Sequence, residues 1–180
     1  MTVLDTGIEG LIHIVPSIFE DARGYFLEAY NKNVFEGLGI KETFVQDNLS
    51  KSEKNVLRGL HFQNQPFAQG KLVSVICGAV LDVAVDIRKN SATYGKYYSA
   101  ELLEKNKHIL WIPPGFAHGF LTLEDNTIFS YKCTAIYNKA SEDSIFWDDP
   151  DLNIIWGAVN PKLSEKDMKA QRFADFHSKF

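Results

Sequence analysis

The stretch Val80-Leu81-Asp82-Val83-Ala84-Val85-Asp86-Ile87 decides the fold class of this chain. In a β-strand, successive side chains point to opposite faces of the sheet. One face of this strand therefore carries Asp82, Ala84 and Asp86. The other face carries Val83, Val85 and Ile87. A polar-lined face opposite an apolar face indicates a barrel whose interior holds a polar ligand.

On both sides of this stretch, short runs rich in Val, Ile, Phe and Tyr recur with turn residues between them. They occupy residues 11–15, 24–30, 43–49, 56–62, 71–77, 79–87, 96–103, 108–112, 116–123 and 127–136. Many short strands at this spacing are typical of a β-sandwich or β-barrel. We therefore predict an all-β fold built as one antiparallel barrel.

Helical signals are confined to two places. One is residues 31–39, which end at a glycine, and the other is the tail from Ser164, where Ser164 and Asp167 have the spacing of a capping box. A chain of 180 residues with 45% hydrophobic content fits one complete core. We predict a single domain over residues 1–180, with the barrel core at about 19–147 and a short C-terminal helical segment at about 162–175.

The charge pattern argues against a nucleic-acid partner, and the short apolar run near the N-terminus argues against a membrane. The chain has 19 basic and 23 acidic residues and no run of lysines or arginines, so we expect no nucleic-acid partner. The first ten residues carry Asp5 and Glu9 and lead into an apolar run of only five residues, 11–15. Such a run fits neither a signal peptide nor a membrane span. We expect a cytoplasmic protein with no membrane partner.

The two cysteines, Cys77 and Cys133, stand alone in apolar stretches. Neither a disulfide framework nor a cysteine metal site is indicated by this pattern. We predict that both are buried and act as small apolar residues.

Four segments place polar, reactive side chains inside apolar strands, at residues 19–28, 46–50, 56–63 and 111–120. Buried polar groups without partners are costly, so such a density requires a reason. These segments are our candidates for a functional site.

Residues 113–118 have the form P-x-G-x-x-H, which resembles the second cupin motif. His61 and Gln63 stand where the first cupin motif usually offers two histidines. Metal-binding cupins typically use three histidines and a glutamate. Here only His61 and His118 match, and no acidic residue lies between positions 62 and 80. We therefore predict no metal site.

Six strings, taken in order, resemble the dTDP-4-dehydrorhamnose 3,5-epimerase family over about residues 19–167. They are Val-Leu-Arg-Gly-Leu-His-Phe-Gln at 56–63, Gln-Gly-Lys-Leu-Val at 69–73, Asp-Val-Ala-Val-Asp-Ile-Arg at 82–88, Ile-Pro-Pro-Gly-Phe-Ala-His-Gly-Phe at 112–120, Tyr-Lys-Cys-Thr at 131–134 and Leu-Ser-Glu-Lys-Asp at 163–167. The resemblance implies a cupin-like jelly-roll barrel, usually a homodimer. It also implies an isomerase of dTDP-L-rhamnose biosynthesis that acts on a dTDP-sugar substrate, dTDP-4-dehydro-6-deoxy-D-glucose, and gives dTDP-4-dehydro-L-rhamnose.

Inversion of C3 and C5 beside a C4 ketone needs a base on one face, stabilisation of the enolate oxygen, and a proton donor on the other face. The resemblance implies that these roles belong to His61, Lys71 and Tyr131. It further implies that Asp167 orients His61, as carboxylates do in other carboxylate–histidine pairs.

Plainer interpretations of these residues stay open at this stage. His61 and Tyr131 could be ordinary core residues, and Lys71 could face solvent. Asp167 could simply cap a helix with Ser164, and we expect that one side chain would not do both jobs fully.

The resemblance also implies contacts with the nucleotide sugar. Arg23 and Arg58 would hold the diphosphate, because guanidinium groups match phosphate geometry. Tyr137 would stack on thymine, and His118 would contact the sugar near its carbonyl. Further residues at positions that line the nucleotide are Phe19, Phe26, Glu28, Gln46, Asn48 and Glu142. No glycine-rich dinucleotide fingerprint is present, so we expect no NAD and no other cofactor.

Five other functions remain compatible with the sequence. The chain could be a mono-epimerase acting at C3 or C5 only, an epimerase that takes a 2-deoxy or amino sugar, or a ketoisomerase that moves the ketone between C3 and C4. It could also be a non-catalytic cupin that binds a sugar or nucleotide, or a metal-dependent cupin oxygenase or isomerase.

Overall fold

A computed structural model describes residues 1–180. The strands, in chain order, are β1 (Thr2–Leu4), β2 (Ile12–Val15), β3 (Ile18–Asp21), β4 (Gly24–Leu27), β5 (Gln46–Ser52), β6 (Leu57–Gln63), β7 (Lys71–Cys77), β8 (Ala79–Asp86), β9 (Tyr97–Leu103), β10 (Ile109–Ile112), β11 (Phe116–Thr122), β12 (Thr127–Cys133) and β13 (Glu142–Ser144). The helices are α1 (Lys32–Gly37), α2 (Glu165–Met168) and a 3₁₀ turn, η1 (Phe173–Asp175).

Two antiparallel sheets face each other. One has the order β1-β2-β10-β7-β12-β5 and the other the order β13-β6-β11-β8-β9, while β3 and β4 form a separate hairpin. Strand neighbours that are distant in sequence, such as β10 beside β2 and β11 beside β6, are characteristic of a jelly roll. The predicted all-β, antiparallel, cupin-like barrel with short helices is confirmed.

The core lies in three apolar layers. Between the sheets, Val73, Val80 and Ala84 pack with Phe120 and Phe129. On the outer face of the five-stranded sheet, residues of β8 pack against the C-terminal segment, and this cluster includes Val83, Val85, Ile87, Leu152, Ile154, Trp156 and Phe176. On the outer face of the six-stranded sheet, Phe35 of α1 packs with Leu72 and Trp111. The alternation predicted for β8 is therefore observed, and both of its faces are buried.

Strand bounds match the sequence best where apolar residues dominate. The run predicted at 71–77 is β7 without change, whereas the run predicted at 43–49 is displaced to β5. Pairing with β12 sets the bounds of β5, since Cys133 lies opposite Gln46 and Thr127 opposite Ser52. The short strands β1, β3 and β13 were not predicted, because three or four residues with exposed or polar side chains carry too little periodicity.

Both predicted helical regions contain helices. Asn31 caps α1 with its side-chain oxygen, and Ser164 and Asp167 form the predicted capping box at α2. The C-terminal segment is less helical than its predicted range of 162–175, because α2 ends at Met168 and only η1 follows. No helix in the fold is both long and apolar enough to cross a bilayer.

The prediction for the cysteines is half right. Cys133 is buried and Cys77 is only half-buried, so the prediction of burial for Cys77 is wrong. Cys77 is the last residue of β7, where the chain turns at Gly78 into β8 and the strand leaves the core. Both thiols are free.

Candidate active site

A cavity of about 420 Å³ opens between the two sheets, with Phe120 and Phe129 of the inner core at its base. His61 on β6 and His118 on β11 line it from the five-stranded sheet. Lys71 on β7 and Tyr131 on β12 line it from the six-stranded sheet. The two predicted proton-transfer groups, His61 and Tyr131, therefore stand on opposite walls of one cavity.

Strand register turns Lys71 toward the cavity. Lys71 lies directly opposite Cys133, two residues from Tyr131, so these side chains share one face. Val73, two residues beyond Lys71, is in the inner core, while Leu72 is in the outer cluster. The alternative in which Lys71 faces solvent is thereby excluded.

Lys71 has no hydrogen-bond or ion-pair partner among the protein side chains. Burial lowers the pKa of Lys71, although negative groups that include Asp82 and Glu142 oppose this shift. An unpaired cation in a partly desolvated cavity is well suited to a negative charge that develops on a bound ligand.

Two glycines let β6 and β11 approach closely beside His61. A Cβ on Gly59, whose φ is +130°, would lie 2.5 Å from the Cα of Gly119 and 2.8 Å from the carbonyl oxygen of His118. The register between the strands shifts at this point, between His118 and Phe120. The glycine in the string at 56–63 therefore places His61 directly opposite His118.

Asp167 holds His61 from helix α2. His61 Nε2 lies 2.6 Å from Asp167 Oδ1, and this oxygen also accepts from the Gly59 amide at 3.3 Å. Burial would raise the pKa of Asp167, but hydrogen bonds from His61 and Ser164 outweigh it and keep the pKa below its usual value. An ionised Asp167 can only accept, so Nε2 of His61 carries the proton and Nδ1, which has no protein partner, is the nitrogen left to act as a base.

The expectation that Asp167 would not both cap a helix and orient His61 is wrong. Its Oδ1 serves His61, while its Oδ2 accepts from the Ser164 hydroxyl at 2.6 Å and from the Ser164 amide at 3.4 Å. The two carboxylate oxygens point in different directions, so one side chain can do both jobs. The cap in fact fixes the orientation of the carboxylate.

Tyr131 is half-buried, and burial raises its pKa. Arg58 opposes this shift without reversing it. The phenol therefore stays protonated near neutral pH and is available as a proton donor.

His118 belongs to a second carboxylate–histidine pair. Its Nε2 lies 2.9 Å from Oδ2 of Asp82, and both residues are buried. Burial lowers the pKa of His118, and Asp82 opposes this shift. Asp82 was placed on the polar face of its strand by the sequence, but its partnership with His118 was not predicted, because it depends on the register of β11 against β8.

Gln63, at the position of a cupin histidine, is bound to the backbone instead. Its Nε2 donates to the carbonyl of Phe67 at 2.7 Å, and its Oε1 accepts from the amide of Asn138 at 2.7 Å. No group of three His, Cys, Asp or Glu side chains is arranged to ligate one metal ion.

A second cavity of about 320 Å³ adjoins the first and shares His61, Lys71 and Tyr131 with it. Four of the predicted nucleotide contacts line this outer cavity, namely Gln46, Asn48, Tyr137 and Glu142. Gln46 accepts from the Tyr137 amide at 2.8 Å and donates to Asn48 at 3.0 Å, so it holds the segment that carries Tyr137. The ring of Tyr137 is about half exposed and free to contact a ligand.

Arg58 lies at the mouth of the first cavity, where its Nη2 donates to Ser52 Oγ at 3.2 Å. Three further residues line this cavity without a role predicted for them, namely Ser50, which ends the candidate segment 46–50, and Lys162 and Ser164. Ser50 lies on the same face of β5 as Gln46 and Asn48, so the alternation of that strand could have identified it.

The structure does not bring four predicted residues to either cavity of the same chain. Phe19, Arg23 and Phe26 lie on the β3–β4 hairpin, and Glu28 follows it. Phe19 and Phe26 are 64% and 69% exposed. Arg23 pairs only with Asp21 of its own turn.

Opposed proton-accepting and proton-donating groups, with a cation between the sheets, suit the removal and return of a proton at a carbon beside a carbonyl. A cupin-like isomerase is therefore the class of protein that this barrel and its cavity define. Comparison with known proteins is more specific, since the sequence profile of dTDP-4-dehydrorhamnose 3,5-epimerase matches residues 5–175. The chain belongs to this family and is an epimerase, an isomerase that acts on carbohydrates.

Individual relatives agree over almost their whole length. The dTDP-4-dehydrorhamnose 3,5-epimerase of Shigella flexneri is 51% identical over 97% of both chains. The crystal structure of the enzyme from Elizabethkingia anophelis superposes with a TM-score of 0.94 at 49% identity, covering 99% of each chain. A Legionella pneumophila epimerase, solved in complex with dTDP-4-keto-L-rhamnose, also gives a TM-score of 0.94, at 47% identity over 98% of this chain and 94% of that one.

Proposed function

We propose that this chain inverts both C3 and C5 of dTDP-4-dehydro-6-deoxy-D-glucose and releases dTDP-4-dehydro-L-rhamnose. One observation carries the proposal, namely that His61, held by Asp167, and Tyr131 stand on opposite walls of a single cavity. Inversion requires that a proton leave one face of a carbon and return to the other, and this arrangement provides for both.

Each inversion then has two proton transfers. Nδ1 of His61 takes the proton from the carbon, and the electron pair of the broken C–H bond moves into an enolate whose negative charge rests on the C4 oxygen. Lys71 stabilises that charge, which is present in the enolate and absent in the ketone. Tyr131 gives its proton to the opposite face, the ketone forms again, and exchange with solvent restores neutral His61 and Tyr131.

The outer cavity is the proposed place of the nucleotide. The half-exposed ring of Tyr137 offers a face for thymine, and Gln46 and Asn48 offer hydrogen bonds beside it. Arg58 at the mouth of the first cavity offers a guanidinium to the diphosphate. Within the first cavity, we propose that His118 contacts the sugar near its carbonyl.

Deuterium incorporation tests single against double inversion. The purified protein is incubated with dTDP-4-dehydro-6-deoxy-D-glucose in heavy water, and the product is analysed by NMR. We expect label at both C3 and C5. Label at one carbon alone would instead define a mono-epimerase, and a ketone displaced to C3 would define a ketoisomerase.

The residues of the hairpin can serve this site only from another copy of the chain. We therefore propose a homodimer in which the β3–β4 hairpin and Glu28 of one protomer meet the outer cavity of its partner. The exposed rings of Phe19 and Phe26 support this proposal, as does the side chain of Arg23, which is 90% exposed and pairs only with Asp21 of its own turn. Exposed aromatic groups next to an arginine are typical of surfaces that bind a partner or a nucleotide.

Mixing two inactive variants tests the homodimer. His61→Ala removes the base from its own chain, and Arg23→Ala removes a phosphate contact from the neighbouring site. The two variants are combined in equal amounts, unfolded and refolded. About half of the dimers then contain one chain of each variant, and one of the two sites in each such dimer is intact. Activity should therefore reach about a quarter of the wild-type value. Activity that never exceeds the mean of the two separate variants contradicts the exchange of residues between protomers.

We further propose a cytoplasmic location. Support comes from the free thiols of Cys77 and Cys133, which form no disulfide, since proteins of oxidising compartments commonly pair their cysteines.

A further inference from the structure

A chain of hydrogen bonds runs from Tyr137 to helix α2. The Tyr137 hydroxyl donates to Glu142 Oε2 at 3.0 Å, and the ammonium of Lys166 pairs with Glu142 Oε1. Lys166 directly precedes Asp167, whose Oδ1 accepts from His61. One carboxylate on β13 therefore ties the aromatic ring of the outer cavity to the helix that orients His61.

The ionisation states of Glu142 and Tyr137 keep this chain of hydrogen bonds intact near neutral pH. Burial would raise the pKa of Glu142, but hydrogen bonds from Lys166 and Tyr137 outweigh it and hold the pKa below its usual value. The hydrogen bond to Glu142 raises the pKa of Tyr137, so its hydroxyl remains a donor. Glu142, which also lines the outer cavity, has a protein partner on each of its two oxygens.

Helix α2 depends on such outside contacts. It has only four residues, Glu165–Met168, and a helix of one turn is not stable by itself. Ser164 caps its start, and Lys166 reaches from it to β13, which pairs with β6 beside His61. The remaining ion pair of the helix, Lys169 with Glu165, stays within the helix region and touches neither sheet.

We propose that Glu142 and Lys166 are positioning residues, through which a nucleotide base against Tyr137 fixes helix α2 and with it the Asp167–His61 pair. The inference rests on the proposed function and deepens it. Binding energy from a part of the substrate that does not react would thereby orient the base, which is how remote contacts raise turnover rather than affinity alone.

Two substitutions interrupt the chain of hydrogen bonds while leaving the groups that touch substrate in place. Tyr137→Phe keeps the ring and removes the hydroxyl, and Lys166→Met keeps the length of the side chain and removes the charge. For each, we expect kcat to fall on the order of tenfold while KM changes by less than about threefold. The double variant should lose no more than the worse single variant, because both changes break the same chain.

Matched variants control for loss of charge and of folding. Lys169→Met removes an exposed lysine at the C-cap of the same helix and should leave kcat and KM unchanged. Lys166→Arg keeps the charge and should retain most of the activity. The Lys166–Glu142 pair is partly exposed, with side chains 41% and 24% accessible, so its contribution to stability is small. The thermal unfolding midpoints of all variants should therefore stay close to that of the wild type.

Amide hydrogen exchange distinguishes positioning from a purely structural role of Glu142 and Lys166, because a structural role alone would not make exchange in helix α2 depend on the nucleotide. Addition of dTDP to the wild type should slow amide exchange in residues 164–169, as measured by mass spectrometry. In Tyr137→Phe and Lys166→Met, dTDP should bind with nearly the same affinity and give little of this protection. Equal protection in these variants, or an unchanged kcat, overturns the inference.

One further variant separates this inference from the proposed function. If Asp167→Asn abolishes turnover while Tyr137→Phe and Lys166→Met are fully active, the positioning chain is wrong and the proposed function stands. If Asp167→Asn is itself fully active, the proposed role of the Asp167–His61 pair fails, and the positioning chain fails with it.

Discussion

Asp167 bonds to three separate parts of the chain with one carboxylate: to His61, to the Gly59 amide and to Ser164. Every acceptor direction of its two oxygens is used, and the side chain is almost completely buried. Its negative charge is therefore stabilised at neutral pH, and it lies beside the imidazole that becomes positive in the proposed mechanism.

Asp167→Asn is expected to lower kcat by at least about 100-fold while KM changes by less than about threefold, because the amide cannot stabilise a charged imidazole. Steady-state kinetics on the nucleotide sugar measures both values. Glu165→Gln, in the same turn of α2, is the matched control and should be active. An equal loss in kcat and in affinity would favour a role for Asp167 in the helix cap alone.

Lys71→Met is expected to lower kcat by about 100-fold to 1000-fold, because the enolate loses the cation beside its oxygen. The same change removes an unpaired charge from a partly desolvated site, so the free energy of unfolding should stay equal or rise by about 1 kcal/mol. Urea unfolding and kinetics on one preparation test the two effects together. An active but destabilised variant would show that Lys71 is structural.

Sequence patterns identified the residues of the site better than the bonds between them. His61, Lys71, His118, Tyr131 and Asp167 each stand in a short string with family resemblance, and all five line one cavity. The pairing of His118 with Asp82 depends on strand register, and the ion pair of Glu142 depends on how α2 docks. Contacts of this kind are set by long-range packing, which one sequence does not specify.

At the scale of elements, the close pairing of β6 with β11 determines where His61 lies. The strands touch through Gly59 and Gly119, with no room for a Cβ on either. Gly59 belongs to the string at 56–63 and Gly119 to the string at 112–120, and their contact became evident only in the folded sheet. The predicted bounds agree with β7 and, to within one residue, with β8. They differ for β5, whose pairing with β12 decides its ends, and for the run predicted at 127–136, which ends at Cys133 in β12.

Gly59→Ala is expected to lower the free energy of unfolding by about 2–4 kcal/mol, because the new Cβ meets backbone atoms that cannot move independently and the φ of this residue is positive. Urea unfolding at pH 7 gives the value.

Gly37→Ala is the matched control, since Gly37 lies in α1 and a Cβ there meets nothing within 4 Å. It should raise the free energy of unfolding by roughly 0.4–1 kcal/mol, because alanine has less freedom in the unfolded chain. Similar effects at both glycines would rule out the close contact of β6 with β11 as the cause.

At the scale of the whole molecule, His13, Tyr98 and His108 form a cluster of ring side chains. The cluster joins the two sheets at β2 and β9, away from β12 and Tyr131. His13 on β2 lies 2.7 Å from the Tyr98 hydroxyl on β9 and 2.9 Å from Nδ1 of His108. Burial, and then the nearby His108, lowers the pKa of His13 despite the opposing charge of Asp82, and burial lowers the pKa of His108. In the folded protein both rings are therefore neutral at a pH where the unfolded chain would bind protons.

The free energy of unfolding should consequently fall as the pH drops through 6.5, the ordinary histidine value, because the unfolded state then takes up more protons than the folded state. The stabilisation is complete above that pH and is lost below it. His13→Leu should flatten the pH dependence between about pH 5 and pH 7, with His177→Asn, at an exposed position, as the control. An unchanged slope in His13→Leu contradicts this account.

The C-terminal segment covers the outer face of the five-stranded sheet, where Trp156 and Phe176 pack. We propose on this basis that residues 1–180 form one domain. The position of the β3–β4 hairpin, by contrast, could not be predicted from the sequence, and the hairpin does not contribute to a site in its own protomer. Its exposed residues find no cavity in their own protomer.

The most direct test of the account is the behaviour of Tyr131→Phe in heavy water. If His61 and Tyr131 act on opposite faces of the sugar, this variant still removes a proton and returns deuterium to the same face. Recovered substrate should therefore gain deuterium, inverted product should form at least about tenfold more slowly, and His61→Ala should show neither reaction. Inverted product at the wild-type rate from Tyr131→Phe, or deuterium exchange that persists in His61→Ala, would contradict the assignment of His61 as the base and Tyr131 as the proton donor on the opposite wall.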